Sequence, residues 1–207
     1  MLKLHSSHIE KAVEEFAKLP GIGTKTALRL VLHLMKQDEH YAHSLSEAIT
    51  NARSLTKRCK ICHNLSDNDI CPICSDSKRD KTKVCIVEDV AGLISIENTG
   101  KYNGLYHILE GKISPMENIG PEKLTLQDLL TRVESENIKE IIFAIGTSIE
   151  ADVTTLYIYN MLKPFSHIKF STIARGVSFG DDIEDTDTLT LGKSIELRTN
   201  FEPETTD

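Results

Sequence analysis

CKICHNLSDNDICPICSDSKRDKTKVCIVEDV, residues 59–90, contains two signals that decide the fold. The first half sets Cys59-x2-Cys62 against Cys71-x2-Cys74, with eight residues between the pairs. Two such knuckles bring four thiolates to a tetrahedral Zn²⁺, and metal binding supplies the folding energy that the polar stretch 57–83 lacks. Two disulfides, or a redox Cys-x-x-Cys, are the competing readings. A reducing compartment disfavours the first and the duplication disfavours the second. No ligand position is left open, so the expected zinc is structural, one per chain. The second half ends in Val84-Cys85-Ile86-Val87, a β-branched apolar run. Cys85 lies inside it and reads as a packing residue.

Toward the C-terminus, short apolar runs alternate with helical stretches: 84–87 then 89–98, 106–109 then 125–135, 141–145 then 153–162, and 168–173. Strand and helix in alternation predict βαβ units and a parallel sheet. In such a sheet ligands bind beyond the carboxyl ends of the strands, where Glu88, Glu150 and Asp152 are expected to converge. Converging carboxylates suit a hard cation such as Mg²⁺. Helix capping is the plainer account, since Asp89 and Asp152 both stand at expected helix starts. Of Tyr102, Tyr106, Tyr157 and Tyr159, most read as packing residues of this region. Leu191-Gly192-Lys193-Ser194 imitates the end of a phosphate-binding loop, but position 187 is Asp rather than Gly and no strand precedes it. A final helix is expected over 189–198.

Toward the N-terminus, residues 7–53 read as helices. Ser7 with Glu10 makes a capping-box pattern, followed by Ile9, Val13 and Phe16 at helical spacing. Leu19-Pro20-Gly21-Ile22-Gly23 breaks that helix, and a second starts near Thr24 with Ala27, Leu28, Val31, Leu34 and Met35 on one side. A third is expected from about Ser44 to Arg53. Gly21 and Gly23 expose backbone N–H groups at a helix N-terminus, where a phosphate fits. Lys25 and Arg29 follow four residues apart, on one helix face. The arrangement is similar to a helix-hairpin-helix, which holds a DNA backbone without reading bases. A plain helix connection needs glycine as well.

The 207 residues carry 24 Lys and Arg against 31 Asp and Glu, a formal charge of −7, with no Trp. That excludes a broad basic surface. The charge is uneven: residues 1–83 hold 14 basic against 10 acidic side chains, +4, and residues 84–207 hold 10 against 21, −11. A locally positive N-terminal module joined to an acidic α/β module is the reading. No run of 18 apolar residues occurs and MLKLHSSHIEK lacks a signal-peptide stretch, so a soluble cytoplasmic protein with no membrane partner is expected.

A glycine turn with its helices, a four-cysteine module and an α/β region with Toprim-like acids, in that order, resemble the RecR family of bacterial recombination mediators. The resemblance spans nearly the whole chain: LPGIGTKTALRLVLHLM at 19–35, the four cysteines, ENTGKYNGLYHILEGKISPMENIGPEKL at 97–124 and ARGVSFGDDIEDTDTLTLGKSIELR at 174–198. It implies an α+β multi-module fold: a helix-hairpin-helix domain over 1–56, a C4 zinc finger over 57–80, a Toprim domain over 81–177, and an acidic tail with an oligomerisation helix over 178–207. It implies a non-enzymatic DNA-repair protein of the cytoplasm and nucleoid. Acting with RecO, and in some settings RecF, such a protein helps load RecA onto single-stranded DNA covered by single-strand-binding protein, as a ring tetramer clamping DNA. Carried over by position, Gly21, Gly23, Lys25 and Arg29 would contact DNA, and Cys59, Cys62, Cys71 and Cys74 would hold zinc. Glu88, Glu150 and Asp152 would serve a protein partner or Mg²⁺. The alternative is a Mg²⁺-dependent Toprim phosphoryl-transfer enzyme, nuclease or primase-like.

The sequence departs from the family at Thr24, where many relatives have Pro and where Thr is expected to cap the helix. It also departs at Glu150-Ala151-Asp152, where Glu-Gly-Glu is expected, and at Phe179 and Asp185 in the tail.

Overall fold

Ser6, not Ser7, starts the first helix. In this computed structural model, which describes residues 5–174, 176–178, 180 and 182–198, the Ser6 backbone is still extended and its hydroxyl accepts from the Ile9 N–H at 3.5 Å. Ser7 is already helical, so the capping pattern lies one residue earlier than expected. The chain divides into two compact units, residues 1–56 and 57–207.

In the first unit α1 (Ser7–Ala17) packs on α2 (Thr24–Leu34). Val13, Ala27 and Val31 are buried between them, with Ile9, Phe16, Ile22 and Leu28 half-buried around that centre. Met35, expected on the apolar side, ends the helix and is 58% exposed. α3 runs from Glu39 to Leu55, about a turn longer at its start than expected, because Asp38 caps it by accepting from the Tyr41 N–H at 2.8 Å. Residues 39–43, Glu-His-Tyr-Ala-His, show no apolar stripe, so periodicity is silent there. No residue of α3 is buried, and Tyr41, Leu45 and Ile49 lie exposed along one line of it.

The second unit opens with a two-stranded antiparallel ribbon, β1 (Lys57–Arg58) and β2 (Leu65–Ser66), and a single turn, α4 (Pro72–Ser75). Then come β3 (Asp80–Val87), α5 (Val90–Glu97), β4 (Gly104–Ile108), α6 (Leu126–Ser135), β5 (Glu140–Ala144), α7 (Ile149–Leu162), β6 (Lys169–Thr172) and α8 (Thr188–Glu196). The four long strands form a parallel sheet in the order β4-β3-β5-β6. Each expected strand is present, with ends differing by up to four residues. α7 begins four residues earlier than expected because the Ser148 hydroxyl caps it through the Ala151 N–H. Phe179, and the tail beyond Arg198, lie outside the described residues.

β3 is central, and its apolar run is buried on both faces. Val84 and Ile86 join the core beneath α6 and α7, while Cys85 and Val87 join the one beneath α5. Period-two alternation divides the strand between two apolar layers, which is why it reads as a continuous hydrophobic run. Each fully buried Ile or Leu there contributes about 1.5–3 kcal/mol of transfer free energy. Burial alone pushes the Cys85 thiol up to about 12, as befits a packing residue. From β3 the chain crosses to β4 on one side, then returns over the sheet to β5 on the other. The strand order therefore reverses between β3 and β5, and the crevice beyond their carboxyl ends is the switch point of the sheet.

Candidate metal centre, phosphate-binding turn and acidic crevice

Cys59, Cys62, Cys71 and Cys74 are all buried, and their sulfur atoms lie within 4.8 Å of one another. Cys62 Sγ and Cys71 Sγ are 3.5 Å apart. A disulfide needs about 2.05 Å, whereas a tetrahedron with Zn–S bonds of about 2.3 Å has edges of about 3.8 Å. The four cysteines fit zinc. As bare thiols they conflict: the Cys62 thiol drives Cys71 down to about 2, while Cys62 is pushed up to about 12 and Cys74 further up. A cation ligated by all four removes that conflict.

Local backbone chemistry makes the knuckles. The Cys59 N–H donates to the Asn64 carbonyl at 2.7 Å and the His63 N–H to the Cys59 carbonyl at 3.0 Å, with His63 in the left-handed region at φ +64°. The Cys71 N–H donates to Cys59 Sγ at 3.3 Å, a contact that joins the two pairs and orients a ligand. The finger is seated on the edge strand β4: the Ile108 N–H donates to the Cys62 carbonyl at 3.0 Å. The His63 ring meets the buried His107 edge-on at 5.3 Å between centroids. Arg58 pairs with Glu110.

In the first unit the turn between α1 and α2 closes with the Ile22 N–H donating to the Leu19 carbonyl at 3.0 Å, and Gly21 takes φ +77°, which glycine alone adopts freely. Gly23, not Thr24, is the N-cap of α2. It offers no side chain to the first-turn amides, so Thr24 stands as first helical residue and its capping capacity goes unused. An uncapped N-terminus leaves backbone donors for an anion. Lys25 and Arg29 are exposed one turn apart, α2 contains no acidic residue, and neither cation has an ion pair among the described residues. A shallow groove of about 400 Å³ runs along this face, lined by Lys25, Leu28, Arg29, Leu32, His33 and Lys36. His33, four residues past Arg29, and Lys36, three further, continue the same face past the two expected cations. Their positions are legible as spacing, but they lie beyond the glycine turn that draws the motif.

The three acids of the sheet domain do not all converge, because Asp152 turns away into another groove. Glu88 follows β3 directly, and Glu150 and Asp152 are the second and fourth residues of α7. Two residues apart on a helix means about 200° around its axis, so the pair point to opposite sides. Asp152 lines a groove with Phe143, Ile173, Asp187 and Lys193, while Glu150 lies toward Lys112. Among the described residues the four cysteines are the only group of three or more His, Cys, Asp or Glu side chains close enough to share an ion. Capping accounts for Asp89, which accepts from the Gly92 N–H at 2.8 Å, but not for Asp152, because Ser148 already caps α7.

Sequence reasoning misses Lys112. Its Nζ lies 3.2 Å from Glu88 Oε1. The Glu150 carboxyl is held below its ordinary value by its own backbone N–H and by Ser148, with the Lys112 charge acting in the same direction. The signal exists in topology: residues after β3, β4 and β5 all arrive at the same crevice. Leu191-Gly192-Lys193-Ser194 lies inside α8, where Lys193 pairs with Glu196, and so forms no phosphate loop.

Family models match three consecutive segments: the RecR helix-hairpin-helix over residues 9–53, the RecR four-cysteine zinc finger domain over 56–76, and the Toprim domain over 82–174. A protein of Flavobacterium johnsoniae named Recombination protein RecR is 49% identical over 201 residues, 97% of each chain. Proteins of the same name are 50% identical in Cytophaga hutchinsonii, over 95% of this chain and 96% of the relative, and 47% identical in Bacteroides fragilis, over 95% of each.

Proposed function

The chain belongs to the RecR family of recombination proteins, and from that premise we propose that it is a DNA-repair mediator that grips nucleic acid through its phosphates and catalyses no reaction on it. The observation that carries this is the Gly21-Ile22-Gly23 turn, which delivers an uncapped helix N-terminus beside the exposed Lys25 and Arg29. Phosphates lie on the first-turn amides of α2 and then along Lys25, Arg29, His33 and Lys36. A surface of this kind binds all sequences alike, with an affinity set by salt.

One zinc per chain holds Cys59, Cys62, Cys71 and Cys74 together and seats the finger on β4. We divide the chain into a DNA-gripping domain over 1–56, the finger over 57–80, the Toprim domain over 81–177 and the tail over 178–207. A single clamp of three or four cations is weak, and joining copies multiplies the effective concentration of the sites. The assembly is a ring tetramer, and the exposed Tyr41, Leu45 and Ile49 of α3 with Leu189 and Ile195 of α8 supply apolar surface for it. The partners are RecO and, in some settings, RecF, and the outcome is RecA loaded onto single-stranded DNA covered by single-strand-binding protein. Glu88, Glu150 and Asp152 serve contacts with such partners, in the cytoplasm at the nucleoid. No described helix is long and apolar enough to cross a membrane.

The test is DNA binding and sizing of the purified chain, with and without RecO. Binding to single- or double-stranded DNA that fails when Lys25 and Arg29 are both replaced by Ala supports the reading. Unchanged binding in that variant, or Mg²⁺-dependent cleavage of DNA that disappears in Glu88→Ala, overturns it.

A further inference from the structure

The loop after β4 is strapped at both ends to the elements that carry the acids. On one side the Leu109 N–H donates to the Val87 carbonyl at 2.9 Å and the Gly111 N–H to the Glu88 carbonyl at 3.1 Å. On the other the Ile113 N–H donates to Thr154 Oγ1 at 2.9 Å, and that hydroxyl donates to the Glu150 carbonyl at 2.6 Å. Residue 112 lies between the straps. The chain reaches it through Glu110 at φ +68° and Gly111 at φ +146°, a turn that fixes the direction of entry. The Lys112 and Glu88 side chains are only 28% and 31% exposed, with their charged atoms 3.2 Å apart, so the pair is built into the crevice rather than swinging over it. Glu150 stands one turn before Thr154 on α7, and the Lys112 charge acts on it without an ion pair within 4.0 Å among the described residues.

We propose that Lys112 is a tethered counter-ion which occupies the place beside Glu88 that a divalent cation would need, so that the crevice acids of this chain do not bind Mg²⁺. Mg²⁺ asks for carboxylate oxygens at about 2.0–2.1 Å in octahedral geometry and gives up its water reluctantly. At this site it meets a positive charge already ion-paired with Glu88. Asp152, the third acid of the pattern, is turned to the far side of α7 and does not restore the balance. The residues present therefore do not fit the ion that the domain type suggests. This inference goes beyond DNA binding and stands whether or not α2 grips phosphate.

Mn²⁺ binding to the zinc-loaded full chain, titrated by electron paramagnetic resonance at fixed ionic strength, tests it. Lys112→Met should gain one Mn²⁺ site at least about tenfold tighter than anything in the unaltered chain, since it removes a like charge a few ångströms from the ion. Adding Glu88→Gln should abolish that site, and Lys112→Arg, which keeps the charge, should not create it. A Lys112→Met chain that unfolds like the parent but gains no site overturns the proposal. So does an unaltered chain whose Mn²⁺ affinity falls when Glu88 alone becomes Gln, a readout that does not depend on any Lys112 variant folding.

Discussion

The backbone N–H of Ile108, on edge strand β4, donates to the carbonyl of Cys62, a ligand position of the zinc finger, at 3.0 Å. A free strand edge presents unpaired donors, and here the finger covers one of them. The metal therefore supports the sheet as well as the finger. Chelating zinc, or Cys59→Ser, should unfold residues 57–80 and strip amide-exchange protection from the end of β4, while α1 and α2, which have their own core, keep theirs. Hydrogen exchange read by mass spectrometry decides this. Protection at 104–108 that survives chelation would show the finger to be dispensable to the sheet.

Replacing Lys25 and Arg29 together with Ala should weaken DNA binding at all sequences and lower the salt slope by about 1.8 for duplex or 1.4 for single strands, two counterions' worth. Lys36→Ala should lower it by roughly half as much. Fluorescence anisotropy against KCl concentration measures both. A Lys36→Ala slope equal to that of the parent would end the groove at Arg29.

Gly21→Ala places a Cβ in the left-handed region, at a cost of about 1–2 kcal/mol. Nothing lies within 4 Å of that Cβ, so the cost is backbone strain alone. The first unit should melt at lower temperature by circular dichroism and bind DNA more weakly. Gly23→Ala, at ordinary dihedrals, should cost less.

Thr154→Val keeps the shape of a fully buried side chain but orphans the Ile113 N–H. A destabilisation of about 1–3 kcal/mol is expected in urea titration. Less than about 0.5 kcal/mol would mean that the strap holding Lys112 finds another acceptor.

His107 is buried with Nε2 3.0 Å from both the carbonyl and the hydroxyl oxygen of Thr125. Burial first, then the Arg132 and His63 charges, lower it from 6.5 to about 3. The unfolded imidazole takes a proton below 6.5 and the folded one does not until about 3. Its contribution to stability is therefore complete above pH 6.5 and declines as pH falls toward 3, at about 1.4 kcal/mol per pH unit. The His107 ring resonances should remain those of neutral imidazole from pH 8 to pH 5. A midpoint near 6.5 would refute the assignment.

Much of this architecture is legible in the chain because single residues obey local rules. Val84–Val87 announces a central strand by being apolar at both parities, the cysteine spacing announces a metal, and Gly21 announces a turn. What escapes depends on direction rather than composition. Glu150 and Asp152 look like a pair in the sequence, yet the helix axis separates them once Ser148 begins α7 before both. Lys112 is far from Glu88 along the chain and is brought to it only by the β4 crossover. The start of α3 is silent because a helix with no buried face leaves no apolar rhythm.

The return crossing from β4 to β5 has a consequence in time. Val84 pairs with Ile141, so the central strand cannot acquire its second neighbour until that distant segment has left the ribosome. At roughly 5–20 residues per second this is a wait of several seconds. Through it, one flank of the apolar run Val84–Val87 stays open to other chains. The glycine-turn helices and the finger close over short distances and are complete by then. Translation speed between residues 88 and 144, rather than final stability, should set how much of the newly made chain is lost to aggregation.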